Sequence, residues 1–271
     1  MTALRLADTG EAADLAAFLA RLIHYDRAAA VRLQTGGGVL AVFGRPAPFE
    51  VLAIRTARLA DGPAGPSREG APAPGRPGGL DLTVSAGQLA DALDAASGDA
   101  AGGADVGVPG SVTGPPWAGV LPPRGGWRQL PGLPGPEEIR AALAAAVAEF
   151  RRRDEALPEP HRTRAERDRI GREIWSRTLD GTGLPLRAAH AAQALGFLRP
   201  APGGNGPVPA GRGGTGPAAG ATATATAVAP RTVPEQPLAL LAAGDWLRLR
   251  TPYGSIAVRG TARPGLPVTP V

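Results

Sequence analysis

Large apolar side chains are scarce in this chain, and that scarcity limits the core it can build. Leu, Val, Ile and Phe together number 56 of 271 residues, while Ala alone numbers 54 and Gly and Pro add 39 and 30. A buried alanine removes little apolar surface from water, so stability must come from a few places where larger side chains cluster. Two segments hold almost none of them. From 61 to 79, 14 of 19 residues are Gly, Pro or Ala, and from 200 to 234, 29 of 35 are Gly, Pro, Ala or Thr. Neither can offset the entropy of ordering it, so both are expected to be disordered, the second as a linker over 200–236. The tail 261–271 is expected to be disordered as well.

Between these segments the pattern predicts an α+β fold. Leu4 to Leu6 reads as a short strand. Asp8 or Thr9 then caps a helix carrying Leu15, Phe18, Leu19 and Leu22 at helical spacing. Ala29–Gln34 and Val39–Phe43 form a hairpin across Gly36–Gly38. Phe49–Leu59 is a third strand, with Phe49, Val51, Ala53 and Arg55 on one face and Glu50, Leu52 and Ile54 on the other. Leu80–Val84 alternates, and Ser85 with Gln88 makes a capping box that opens a helix through Leu89 and Leu93. The expected organisation is an α+β domain over 1–130 with an antiparallel sheet, a helical part over 131–199, and a β-hairpin within 237–260.

In the helical part, Ile139, Leu143, Val147 and Phe150 form an apolar stripe. Thr163 and Glu166 make a second capping box, and Pro185 opens a third helix that runs to about Leu198. The stretch 107–136 is rich in Pro and Gly, yet it carries Trp117 and Trp127. These tryptophans are expected to plug a small core; docking of a partner on the proline-rich segments is the other reading.

Absent residue types exclude several chemistries. The chain has no lysine and no cysteine. That removes the phosphate-loop lysine, the Schiff base, the thiol nucleophile, the disulfide and the Cys-held metal. The three histidines, His24, His161 and His190, are far apart in sequence, and no serine sits in a Gly-x-Ser-x-Gly context. The protein is therefore expected not to be an enzyme, and no catalytic residue, metal or cofactor is expected. No apolar run is long enough to cross a membrane, and Met1–Asp8 does not resemble a signal peptide. The expectation is a cytoplasmic protein with no membrane partner.

All 29 basic residues are arginine, a bias that high-GC genomes produce without any functional demand. The charge is nevertheless uneven: residues 1–110 carry 9 Arg against 12 acids, and residues 201–271 carry 6 against 2. Trp246–Arg250 and Ser255–Arg259 flank Thr251-Pro-Tyr-Gly254 as a hairpin. Alternation places Trp246, Arg248, Arg250 and Arg259 on one face, a set able to hold phosphates and stack a base. The third helix adds Arg187 and, just beyond it, Arg199. Between 151 and 177 arginines and acids are dense, which fits a solvated helix laced with pairs such as Glu173–Arg177.

Three helices followed by a hairpin resemble the layout of a winged helix-turn-helix over residues 137–259. That resemblance implies a last helix in the major groove and the hairpin as the wing. The expected function is that of an adaptor or regulator acting on an unidentified protein partner. Nucleic-acid binding through the basic helical part and the hairpin is the alternative.

Overall fold

In the computed structural model of the chain, the described residues are 2–60, 79–96, 105–199 and 238–260. The segments expected to be disordered fall outside them, apart from Gly79. In chain order the elements are β1 (Ala3–Arg5), α1 (Thr9–Tyr25), β2 (Ala30–Gly36), β3 (Val39–Gly44), β4 (Leu52–Arg58), β5 (Asp81–Ser85), α2 (Ala86–Ala96) and β6 (Asp105–Gly107). They continue as β7 (Arg128–Leu130), α3 (Pro136–Glu155), α4 (Arg164–Ser176), α5 (Leu186–Ala194), β8 (Ala239–Ala243), β9 (Trp246–Thr251) and β10 (Gly254–Arg259). The fold class is α+β, as the sequence pattern predicts.

One antiparallel sheet of eight strands organises the molecule, in the order β5-β2-β3-β4-β10-β9-β8-β7. The pair β1–β6 forms a separate small ribbon. The last strand in sequence, β10, lies in mid-sheet and pairs with β4 through Ser255 opposite Ile54 and Ala257 opposite Leu52. Strands from both ends of the chain thus share one hydrogen-bond ladder, and strands on either side of 131–199 belong to the same sheet.

Among the described residues, the five α-helices cover one face of this sheet. Leu15, Phe18, Leu19 and Leu22 of α1 share a continuous core with Val31, Leu33, Val42 and Ala53 from the strands. Ile139 and Leu143 of α3, Ile170 and Ile174 of α4, and Leu249, Ile256 and Val258 of the C-terminal strands join the same core. Asp8 fixes the start of α1, its Oδ1 accepting from the N–H groups of Gly10 and Glu11 at 2.9 and 3.0 Å.

The stretch 108–127 crosses the opposite face, from the β5 edge towards the β7 edge. The Val112 N–H donates to the Thr83 carbonyl at 2.9 Å, and Arg32 Nη1 donates to the Ala118 carbonyl at 3.0 Å. Trp117 and Leu121 pack on a second, smaller cluster of Phe43, Leu52, Ile54 and Ala257. The tryptophan covers these apolar side chains on the side of the sheet away from the helices.

Three expectations are corrected. The third strand begins at Leu52 rather than Phe49. Pro46 and Pro48 favour a tight 3-10 turn over Ala47–Phe49, and Glu50 follows at φ 51°. The hairpin within 237–260 is a three-stranded meander, because β8 pairs with β9 from Ala239 opposite Arg250 to Ala243 opposite Trp246. Its sequence Ala-Leu-Leu-Ala-Ala is mostly buried and lacks the alternation that reveals a strand. The winged helix-turn-helix layout also fails, since β9 and β10 are interior strands of the sheet and cannot serve as an exposed wing.

Candidate functional site

Alanine-rich helices meet at a concave surface of the helical layer. Ala188, Ala189, Ala191 and Ala192 of α5 are fully buried, which lets this short helix sit close against the sheet. A groove of about 290 Å³ opens between α5 and α3. Leu143, Ala144, Val147 and Ala148 of α3 line its wall, with His190 and Gln193 contributed by α5. Arg140 and Arg151 stand at its two ends, and no carboxylate lines it among the described residues. They lie eleven residues apart on one helix, roughly 16 Å or three turns. Arg140 already donates to Glu137 and to the Leu198 carbonyl, whereas Arg151 pairs with no carboxylate among the described residues.

α3 holds this wall firmly. Pro136 occupies its first turn, the Glu138 carboxylate accepts from the Gly135 N–H at 2.8 Å, and Glu137 and Glu138 complement the positive end of the helix dipole. On the other side, the His190 ring stacks on Trp175 with centroids 4.3 Å apart and meets Phe49 edge-on at 5.1 Å. Burial holds the His190 pKa below its ordinary value, so the imidazole is neutral at neutral pH.

The dense charges between 151 and 177 resolve into a lattice between α3 and α4. Arg153 donates to both oxygens of Glu173 at 2.7 Å, and Arg177 reaches Glu149 at 2.6 Å and Glu173 at 3.2 Å. Arg167 pairs with Asp154 at 2.7 Å, and Arg169 with Glu166 at 2.5 Å. Hydrogen bonds from Arg153 hold Glu173 down to about 2, and Arg177 and Arg169 hold Glu149 and Glu166 below the usual glutamate value. Glu173 therefore binds its proton less tightly folded than unfolded. Its contribution to stability is complete above about 4.5 and is lost as pH falls towards about 2. Acid titration at low salt is expected to loosen α3 from α4 within that window. Trp175 fluorescence would report it, and added salt would weaken the contribution at neutral pH. A signal that stays flat down to pH 2 would contradict this.

On the opposite face, Trp246, Arg248, Arg250 and Arg259 share one side of the sheet, as alternation predicts. Arg259 lies over the Trp246 ring at 5.5 Å, and Arg248 over Trp127 at 5.7 Å. Arg187 and Arg199 do not join them. Arg187 belongs to α5, and Arg199 follows that helix, 3.0 Å from Asp14 of α1 and 3.9 Å over the Tyr253 ring. The sequence reading missed the groove and the contacts of Asp14, neither of which follows any local spacing. One signal was available: Arg55 falls on the apolar side of β4, in register with Val42 and Leu33.

Residues 122–263, just over half of the chain, match the model of a family described as Domain of unknown function (DUF8185), and the chain belongs to that family. Residues 1–119 match a second model, described as Domain of unknown function (DUF8010). No curated protein and no solved structure matches the chain. Among the described residues no helix is long and apolar enough to cross a membrane, and no group of His, Asp and Glu side chains is placed to hold a metal ion.

Proposed function

We propose that this protein is a non-catalytic, cytoplasmic adaptor or regulator, and that an acidic amphipathic helix of a partner protein docks in the α3–α5 groove. The observation that carries this reading is charge complementarity. An apolar wall three turns long ends in guanidinium groups and has no carboxylate on it. An incoming helix would lay its apolar face on Ala144, Val147 and Ala148 and bring its acids to Arg151 and Arg140. The α3–α4 lattice pairs Arg153 and Arg177 internally, and Arg140 is paired with Glu137, so Arg151 is the groove arginine left without a carboxylate among the described residues. His190, the one histidine in the groove, is stacked on Trp175 rather than placed beside a carboxylate and a serine, which fits a binding role.

Fluorescence anisotropy tests the reading with two labelled peptides of about twelve residues, roughly three helical turns, one Leu/Glu and one Leu/Lys in pattern. The acidic peptide is expected to bind, and the basic one not. A Val147→Asp, Arg151→Glu double variant should weaken the acidic peptide at least tenfold, about 1.4 kcal/mol, while keeping its circular dichroism spectrum. Equal binding of the two peptides, or of wild type and variant, would refute the proposal.

The arginines on the sheet face opposite the helices favour a second reading, single-stranded nucleic acid held by Arg248, Arg250 and Arg259 with stacking on Trp246. Its expected signature is an affinity that falls with salt at a log–log slope of about −2 to −3. No mobility shift at low salt would remove it.

A further inference from the structure

On the helical side, a recess forms where α1 meets the end of α5 and the β9–β10 turn. Arg55 of β4 projects into it from the core-facing side of the sheet and is 91% buried, its relative exposure being 9%. It spans two partners, donating from Nη2 to Asp14 at 2.9 Å and from Nη1 to the Tyr253 carbonyl, while its buried Nε has no partner. Arg199 donates to the other oxygen of Asp14 at 3.0 Å. Arg21, two turns along α1, lines the same recess and, among the described residues, donates only to the Ala17 carbonyl at 3.1 Å.

Two guanidinium groups thus share one carboxylate and a third lines the same recess, a local excess of two positive charges. The walls are Phe18, Leu195, Phe197 and Tyr253, which cannot compensate it. The C-terminal end of α5, beside Arg21 at Gly196, supplies about half a negative charge, so more than one positive unit remains. Guanidinium groups gathered in a half-buried recess with too few acids are matched in charge and geometry to a tetrahedral oxyanion.

We infer that this recess binds the phosphate group of a small anion or phosphate monoester between Arg21 and Arg199. The free volume is only about 10 Å³, so the anion enters when Arg199, whose side chain is 40% exposed, turns from Asp14 towards solvent. Arg21, Arg55 and Asp14 belong to the residues matched by the first family model, and Arg199 and Tyr253 to those matched by the second. A bound anion therefore tightens the seam between the two matched regions.

The test uses the full chain with inorganic phosphate in one arm and glycerol phosphate in the other, each against chloride at matched ionic strength. ³¹P line broadening and the melting temperature are the two readouts. Wild type is expected to broaden the phosphate resonance and to melt about 3–6 °C higher, the shift given by a ligand at roughly tenfold its dissociation constant. Arg21→Gln and Arg199→Gln should each remove the broadening and most of the shift. Any general stabilisation by excluded phosphate persists in these variants and is subtracted by them. Asp14→Asn, which leaves the arginines unopposed, should gain more from phosphate than wild type does. Broadening in the first arm identifies free phosphate as a sufficient ligand, and broadening in the second arm alone identifies a monoester. Absence of broadening in both arms, or shifts equal in wild type and Arg21→Gln, overturns the inference.

Discussion

Phe18→Ala is expected to destabilise the protein by about 3–5 kcal/mol, the range for deleting a buried aromatic ring. The ring is 1% exposed and stacks on Phe197 with centroids 5.8 Å apart, so it joins α1 to the segment that follows α5. The surrounding side chains cannot collapse into the hole. One neighbour, Phe197, is itself pinned against Gly254, where an added Cβ would come within 2.6 Å of its ring. In a core so poor in large side chains, one ring carries a large share of the burial. Urea unfolding with an unchanged slope would give the value directly, and a loss below 1 kcal/mol would mean that α1 and the C-terminal strands are not packed as described.

Asp14→Ala is expected to cost about 2–3 kcal/mol, an unusually large effect for a side chain 31% exposed. The cause is Arg55. Its guanidinium is nearly buried, and without Asp14 its positive charge keeps only the Tyr253 carbonyl as a partner. Leaving a buried charge unpaired costs more than the pair contributes net, although the partial exposure of Asp14 trims the usual figure. Replacing Arg55 with methionine in the same background should recover much of the loss, because the charge needing a partner is gone. If Asp14→Ala unfolds within about 0.5 kcal/mol of wild type, Arg55 is better solvated than its burial implies.

The local elements were legible wherever a few large residues recur at a clear period. Leu15, Phe18, Leu19 and Leu22 announced α1, and the alternation of Leu249, Ile256 and Val258 against Arg248 and Arg250 gave both faces of the β9–β10 hairpin correctly. Legibility failed where alanine carries the structure. β8 is built from Ala and Leu alone, and α5 buries four alanines whose pattern says nothing about the groove beside them. It also failed for contacts distant in sequence. Arg55 and Tyr253 are 198 residues apart, and no periodicity links β4 to β10 or Asp14 to Arg199. The strap over 108–127 was half legible, since Trp117 in a Gly/Pro-rich stretch signals packing but not which sheet face receives it.

The claim on which the functional reading rests is that the α3–α5 groove, and not the sheet face, receives the partner. Amide chemical-shift mapping of the full chain during titration with the Leu/Glu peptide tests it most directly. Shifts are expected to concentrate at Ala144, Val147, Ala148, Arg151 and Gln193, with the Trp175 indole moving through its stack on His190. Shifts concentrated at Trp246, Arg248 and Arg259, or a spectrum left unchanged at saturating peptide, would contradict it.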